Sequence, residues 1–394
     1  MTAEKEYLVY LLSCFLGGNK PEGRKTEWNE IYRLAEINDI EAIVASEIKK
    51  LDSAYAPEGE LRSRFNQQLG QSIIHSERRD EAYKRLNAFL DGVAFERIFV
   101  KGIVLCNFYP AKELRTSGDI DVILRENDFN RLEELNENGT LSEYGLTDFK
   151  YTPVTCSVSA DGLMIELHRN ADVFGSYFDT IFDIAEKKSG YIRELDGYNH
   201  LLYVMCHLAK HLKERGAGIR MLLDIDVLIR HIENFDESCF YSLCSEAKIE
   251  STARMILSYC NYCFNTPVSD SSDIKENKDM RDLFASVFID GGSFGFAASN
   301  NATLHLNNSS VSGEINKRAR LKILLRYVFP PACYVREYYA YSVKHKALVP
   351  LAYINRIFDA VFKRSERSVK TLKEINRLDG KDTKIKSLID ELEL

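Results

Sequence analysis

The sequence predicts an α+β protein with a helical region over residues 1–93, a core on a small mixed β-sheet over 94–195, and a helical domain over 196–394. Two observations carry this. Apolar residues recur at helical spacing up to about residue 93 and again from Asn199, whereas between Arg97 and His168 they fall into short alternating or β-branched runs. The chain of 394 residues, 45% hydrophobic and 28% charged, is globular and has room for two or three domains. It shows no internal repeat.

The first region opens with an apolar run from Tyr7 to Leu16, preceded by Glu4 and Glu6. That run is far shorter than the roughly 20 residues needed to span a bilayer, and no small-residue cleavage site follows it. It reads as a core helix. No other run is long enough to cross a membrane, so a cytoplasmic protein with no membrane partner is expected. Thr26 is read as the cap of a second helix, with Trp28 in its first turn as a packing anchor. Ile40–Leu51 and Leu61–Leu90 continue the helical pattern.

From Arg97 the period changes. Ile98-Phe99-Val100 reads as a strand, Lys101-Gly102 as a turn, Ile103–Phe108 as a helix, and Asp119–Leu124 as a second strand after a basic loop. Glu126–Asn138 is a charged amphipathic helix stopped at Asn138-Gly139. Phe149–Val158 and Gly162–His168 read as two strands joined by a turn over Ser159–Gly162. Beyond Asn199, His200, His207 and His211 share one side of a helix, and Asp224 and Asp226 lie on the next one, where Asp224 is expected to pair with Arg220 or His207. Residues 286–313, rich in Gly, Ser and Asn, form a long irregular loop of the kind that is usually functional or mobile. Helix resumes over Ile315–Phe362, interrupted at Pro330-Pro331 and Pro350, and a charged tail follows from Lys363.

Net charge is −7, which does not mark a nucleic-acid binder. The average hides an asymmetry, because Lys317–Lys370 holds 13 Lys or Arg against 3 acids. That stretch is either a solvated helical surface or a face for phosphates or RNA. Nine cysteines, an odd number scattered through apolar patterns, suit a reducing compartment. Cys260 and Cys263 lack the second pair that a zinc site wants, so burial is the expected role. The sequons at Asn301 and Asn308 carry no meaning without secretion.

The chemistry concentrates between Ile98 and His168. Residues two apart on a strand share a face, so Asp119 and Asp121 project together while Ile120, Val122 and Leu124 face a core. Side-by-side carboxylates repel unless a cation lies between them or a proton is shared. A D-x-D alone is weak, and so is a solvent-facing Glu166 alone. In order, though, a glycine turn, a helix, a D-x-D strand and a later carboxylate at Glu166 fit metal-dependent nucleotidyl transfer. That chemistry uses three acids to hold two ions, Mg²⁺ or Mn²⁺, about 3.5–4 Å apart, in line with the attacking oxygen and the triphosphate. Asp119 and Asp121 would bridge the metals, and Glu166 would bind on the nucleophile side and accept its proton. Lys101, Gly102, Arg115 and Gly118 would face phosphate oxygens. His168, two residues past Glu166, would touch substrate or orient the carboxylate.

Lys101-Gly102, Tyr109-Pro110, Arg115, Gly118-Asp119-Ile120-Asp121 and Ile165-Glu166-Leu167-His168 together resemble the uncharacterised nucleotidyltransferase family of the DNA polymerase beta-type superfamily. Trp28–Ala35, Ile40–Ala42, His207-x-x-x-His211, Gly218-Ile219-Arg220, Leu222–Asp224, Phe294-Gly295, Phe329-Pro330 and Leu348–Pro350 resemble its other landmarks, which covers most of the chain. The Lys-Gly…Arg-x-Ser-x-Asp-Ile-Asp pattern also resembles, more distantly, the abortive-infection toxin nucleotidyltransferases. The superfamily's usual turn is Gly-Ser; here it is Lys101-Gly102, a departure that the family shares. The resemblance implies a nucleotidyltransferase core walled by helical regions. It does not supply a substrate; the reaction expected of the carboxylates moves a nucleoside monophosphate, AMP from ATP or another nucleoside triphosphate, to an acceptor that is a small molecule, a protein or RNA, with a toxin-like transferase acting on RNA as one alternative. A catalytically silent nucleotide-binding scaffold is the alternative from another class.

Overall fold

The computed structural model describes residues 1–293 other than 215, 270 and 271, and beyond them 317–330, 346–359, 382–394 and isolated positions between 332 and 375. Helix α1 (Ala3–Gly17) starts where the Thr2 hydroxyl accepts from the Lys5 N–H and stops where Gly18 turns left-handed at φ 67°. Helix α2 (Trp28–Ile37) begins later than a Thr26 cap requires. Glu27 takes the cap position without a side-chain bond, and the Thr26 hydroxyl is buried without a hydrogen-bond partner among the described residues. The expected Trp28 anchor is present, with its indole N–H on the Tyr55 carbonyl and its ring against Tyr7 and Phe65.

Helix α3 (Glu41–Ile48) leads to α4 (Gly59–Gly92), whose 34 residues span about 50 Å. Its buried stripe runs through Phe65, Ser72, Ser76, Arg79, Ala82, Leu86 and Phe89, the i, i+3/i+4 spacing of a packed helix face. The helix meets the Arg115–Gly118 loop through the His75 and Arg79 side chains, which reach the Ser117 and Arg115 carbonyls.

Seven strands make one mixed sheet among the described residues: β1 (Arg97–Val100), β2 (Asp119–Leu124), β3 (Thr147–Tyr151), β4 (Thr155–Ala160), β5 (Leu163–His168), β6 (Glu186–Ser189) and β7 (Ile192–Glu194), in the order β3-β4-β5-β2-β1-β7-β6. The pairs β2/β5 and β1/β7 are parallel and the rest antiparallel. Between β1 and β2 lie the one-turn helix α5 (Gly102–Leu105) and two 3₁₀ turns.

Two elements differ from the sequence expectation, the first for a local reason. The single strand expected over Phe149–Val158 is two strands, broken at Thr152–Val154, where Pro153 has no N–H to give a ladder. The β4–β5 hairpin then turns at Asp161 (φ 50°) and Gly162 (φ 78°), the left-handed pair that a tight two-residue turn needs. The helix expected over Glu126–Asn138 is likewise two short pieces, α6 (Glu126–Phe129) and α7 (Leu132–Glu137), with the one-turn helices α8 (Thr140–Glu143) and α9 (Ile181–Ile184) further on.

The sheet separates two cores. Ile120, Val122, Leu124, Ile165 and Leu167 face Ala82, Leu86 and Phe89 of α4 and the short helices after β2. On the other face Ile98, Val100 and Ile123 join a larger core with α1, α3 and the helices that follow β7. Those are α10 (Gly197–Glu214), α11 (Ile219–His231), α12 (Glu237–Glu246), α13 (Glu250–Phe264), α14 (Ser272–Glu276) and α15 (Lys278–Phe288). Helix α1 lies on α13, with the chain's amino terminus 2.7 Å from Asp282. A helix over Asp382–Glu391 returns to this body and buries Leu388, Ile389 and Leu392.

Cys260 and Cys263 are buried on α13, and the described cysteines are all free thiols. No described helix is long and apolar enough to cross a membrane. The loop expected from 286 starts later, since Ser286–Phe288 is still the buried end of α15; of the loop itself only the first residues are described, where Gly292 (φ 70°) and the Ser293 N–H dock on the Ile37 carbonyl. Residues 294–313, including Phe294-Gly295 and both sequons, lie outside the described residues, as do 363–368 and 376–381 of the tail.

Candidate active site

The site follows from strand register. Asp121 is paired with Glu166 across the parallel β2/β5 ladder and with Val100 across β1, so Asp119, Asp121 and Glu166 lie on one face of the sheet. That face turns toward α10, while Ile120 and Val122 are fully buried on the other. The alternation read in the sequence is therefore the alternation in space.

At the end of β1 the chain turns at Lys101, whose φ of 56° and ψ of −135° belong to a region that glycine ordinarily fills. The lysine side chain reaches back to Asp121, Nζ to Oδ1 2.7 Å. Burial alone would depress the lysine's pKa, but the Asp121 and Asp119 charges outweigh it and hold the ammonium above its ordinary value.

Asp121 is 2% exposed. Burial pushes its pKa upward, yet Lys101 and His168, whose Nε2 is 2.9 Å from the same Oδ1, bring it down to about 2. Asp119 is raised, by burial first and then by Asp121's charge. Glu166 is raised by burial too, with His168 opposing and the two aspartates reinforcing. One fully ionised carboxylate thus stands between two reluctant ones, an arrangement that a divalent cation would relieve.

The donors of Asp121, Glu166 and His168 lie within 4.8 Å of one another, so these three fit a metal ion. His168 is buried, and its Nε2 is also 3.5 Å from Glu166 Oε2. Asp119 stands outside that donor group, held by Ser117, whose hydroxyl donates to the Asp119 carbonyl at 2.8 Å.

The loop from Arg115 to Gly118 lies on the first turn of α5. A Cβ at Gly102 would come within 2.3 Å of Ser117 Oγ and 2.9 Å of Arg115 Nη1, so only glycine fits there. A Cβ on Gly118 would meet nothing within 4 Å among the described residues, so its backbone is open on that side. Arg115 is placed differently from the sequence expectation of a phosphate-facing cation. It is buried, with Nη2 and Nε 2.7 and 3.1 Å from the two Asp224 oxygens and Nη1 on the Thr116 carbonyl. Asp224, expected to pair with Arg220 or His207, instead takes Arg115 and the Tyr109 hydroxyl, 2.7 Å away. The fork-on-fork geometry, which Arg220 and His207 do not offer Asp224 here, accounts for the choice.

Several supporting residues were not legible. Arg79 of α4 donates to the Arg115 carbonyl at 2.9 Å, His75 meets the Ser117 carbonyl, and the Thr116 hydroxyl donates to the Asp39 carbonyl at 3.1 Å. Arg220 lies 3.3 Å from the Asp39 carboxylate. The one signal in the sequence is a His–Arg pair at i, i+4 on an otherwise apolar or small-residue stripe. His207 and His211 stack edge to face with centroids 4.5 Å apart, outside the metal-capable donors among the described residues. His207 is held neutral, by burial first and then by Lys101 and its other cationic neighbours, and its Nδ1 has no partner among the described residues.

A mixed sheet with a D-x-D strand, an acid on the parallel neighbour and helical walls defines a nucleotidyltransferase-type core. The model of an uncharacterised nucleotidyltransferase family matches residues 24–265, and the chain belongs to that family. No curated protein and no solved structure matches the chain.

Proposed function

We propose that the protein transfers a nucleoside monophosphate, AMP from ATP in the first instance, to a hydroxyl acceptor and releases pyrophosphate. The observation that carries this reading is the donor group Asp121–Glu166–His168, with Asp119 on the same strand face. These residues would hold Mg²⁺ or Mn²⁺, and an imidazole beside carboxylates suits Mn²⁺ at least as well as Mg²⁺. The cation would supply charge neutralisation at the triphosphate.

The chain's own residues do the rest. Glu166, with its raised pKa and partial exposure, accepts the acceptor hydroxyl's proton. The freed oxygen forms a bond to the α-phosphorus as the bond to the bridging β-oxygen breaks, and pyrophosphate leaves with that electron pair. Lys101 is close enough to move from Asp121 to a phosphate oxygen, and the open backbone at Gly118 admits the triphosphate. Arg115 acts as a positioning residue that fixes this loop through Asp224.

A second reading has one observation in its favour. Lys101 already neutralises Asp121 at 2.7 Å, as expected if the site binds nucleotide without turnover. Incubation with α-labelled ATP and, separately, small-molecule, protein and RNA fractions distinguishes the two. Metal-dependent label transfer to one fraction, absent in Asp121→Asn, supports the transferase; binding of ATP without transfer to any fraction supports the silent scaffold.

A further inference from the structure

We propose that the C-terminal helices attach the protein to the surface of a bilayer containing anionic lipids. Three observations outside the active site carry this, and none depends on the reaction proposed above. The first is where apolar surface is left open. Of the 15 large hydrophobic side chains that are exposed among the described residues, ten lie between Leu321 and Leu372. Scattered single exposures need no explanation, but a cluster does.

The second is periodicity. On the helix Lys317–Val328 and its end, Leu321, Leu325 and Phe329 are exposed at i, i+4 and i+8, while Ile323 on the opposite side is fully buried. On the helix Val349–Phe358, Leu351, Ile354 and Phe358 are exposed at i, i+3 and i+7, with Ala352 buried. The two helices are joined, since Arg356 donates to the Tyr327 carbonyl and Phe329 lies against Tyr353. Each helix therefore packs inward through one face and leaves an apolar stripe outward.

The third is charge. Exposed Lys322 and Arg326 follow Leu321 and Leu325 directly, with no carboxylate partner among the described residues. The segment Lys317–Lys370 has 13 basic residues against 3 acids in a chain whose net charge is −7. Leucine and isoleucine interleaved with lysine and arginine is the composition of a helix that lies in the headgroup region, apolar side down and cations against acidic lipids. A nucleic acid would use the cations but gain nothing from aliphatic side chains, since its stacking partners are aromatic. A second copy would bring like charges together. The expectation of no membrane partner rests on the lack of a spanning run, and surface attachment requires none.

The test is co-sedimentation of the full chain with phosphatidylcholine vesicles with and without phosphatidylglycerol, together with sedimentation velocity and an RNA-binding titration. Wild type is expected to sediment with the anionic vesicles. Leu325→Asp/Ile354→Asp is expected to lose about tenfold or more per side chain, because each loses a buried aliphatic contact with lipid. Lys322→Glu/Arg326→Glu is expected to lose the preference for anionic over neutral vesicles. All four positions are on the surface, so circular dichroism should match wild type and separate these losses from misfolding. The proposal is overturned if wild type ignores both vesicles or if the aspartate variant sediments like wild type. Salt-sensitive RNA binding in place of vesicle binding would also overturn it, as would a concentration-dependent dimer that the aspartate variant abolishes.

Discussion

Lys101 combines two costs, a backbone conformation unsuited to a side chain and a half-buried charge, and its ion pair with buried Asp121 offsets them. Removing the charge while keeping the side chain's bulk, as in Lys101→Met, should destabilise the fold by about 3 kcal/mol because Asp121 loses a buried partner. Lys101→Gly should recover about 1–3 kcal/mol of that by relieving the positive φ. Urea melts of the two variants check the order; a glycine variant less stable than the methionine one contradicts it. Asp121 has its own pH signature. Its folded-state pKa is depressed to about 2, so its stabilising contribution is complete above the unfolded carboxyl value and is lost as pH falls through about 2. The stability gap between wild type and Asp121→Asn should accordingly shrink by about 2 kcal/mol from neutral pH to the acid limit. Glu41 has the opposite sign. Burial, with Asp39 and Glu36 adding, raises it to about 7, so its favourable contribution exists at low pH and disappears as pH rises through about 7. Glu41→Gln should raise Tm at pH 8 and leave it nearly unchanged at pH 5.

At the scale of elements, the loop between α5 and β2 is what turns two strand ends into a site. Gly102→Ala drives a methyl into Ser117 and Arg115 and should cost about 1–3 kcal/mol, with weaker triphosphate binding because the loop is displaced. Arg115→Ala leaves Asp224 buried without its fork and should cost about 3–5 kcal/mol; Arg115→Lys should recover only part. Chemical denaturation measures both. A Lys variant as stable as wild type would show that the paired nitrogens do not matter.

For the whole molecule, one core cluster runs from α1 through the sheet to α15 and the helix Asp382–Glu391. The Thr252 hydroxyl donates to the Leu392 carbonyl at 2.8 Å, and Leu388, Ile389 and Leu392 are fully buried. Truncation before Asp382 should therefore lower stability by about 5 kcal/mol, close to the sum for three aliphatic side chains. An unchanged Tm would show that this helix contributes nothing. The same continuity explains what could be read beforehand. The D-x-D strand and Glu166 were legible because strand alternation is a local property that survives into three dimensions. Strands β6 and β7 were not, since Glu186–Ser189 is fully exposed and carries no apolar pattern. Asp224 was seen, but its partner Arg115 lies 109 residues away, and nothing local pairs them. Arg79 and His75 offered only an i, i+4 spacing on α4, and the loop carbonyls they meet lie 36 and 42 residues further on.

Calorimetric titration of ATP, and of the other nucleoside triphosphates, into wild type and Asp119→Ala/Asp121→Ala tests the central claim most directly. Each titration is run with Mg²⁺, with Mn²⁺ and with EDTA. The account predicts binding with a divalent cation, loss of that binding in EDTA, and loss in the double variant while its fold persists. A double variant that binds as wild type does, or a wild type that binds no triphosphate, would contradict it.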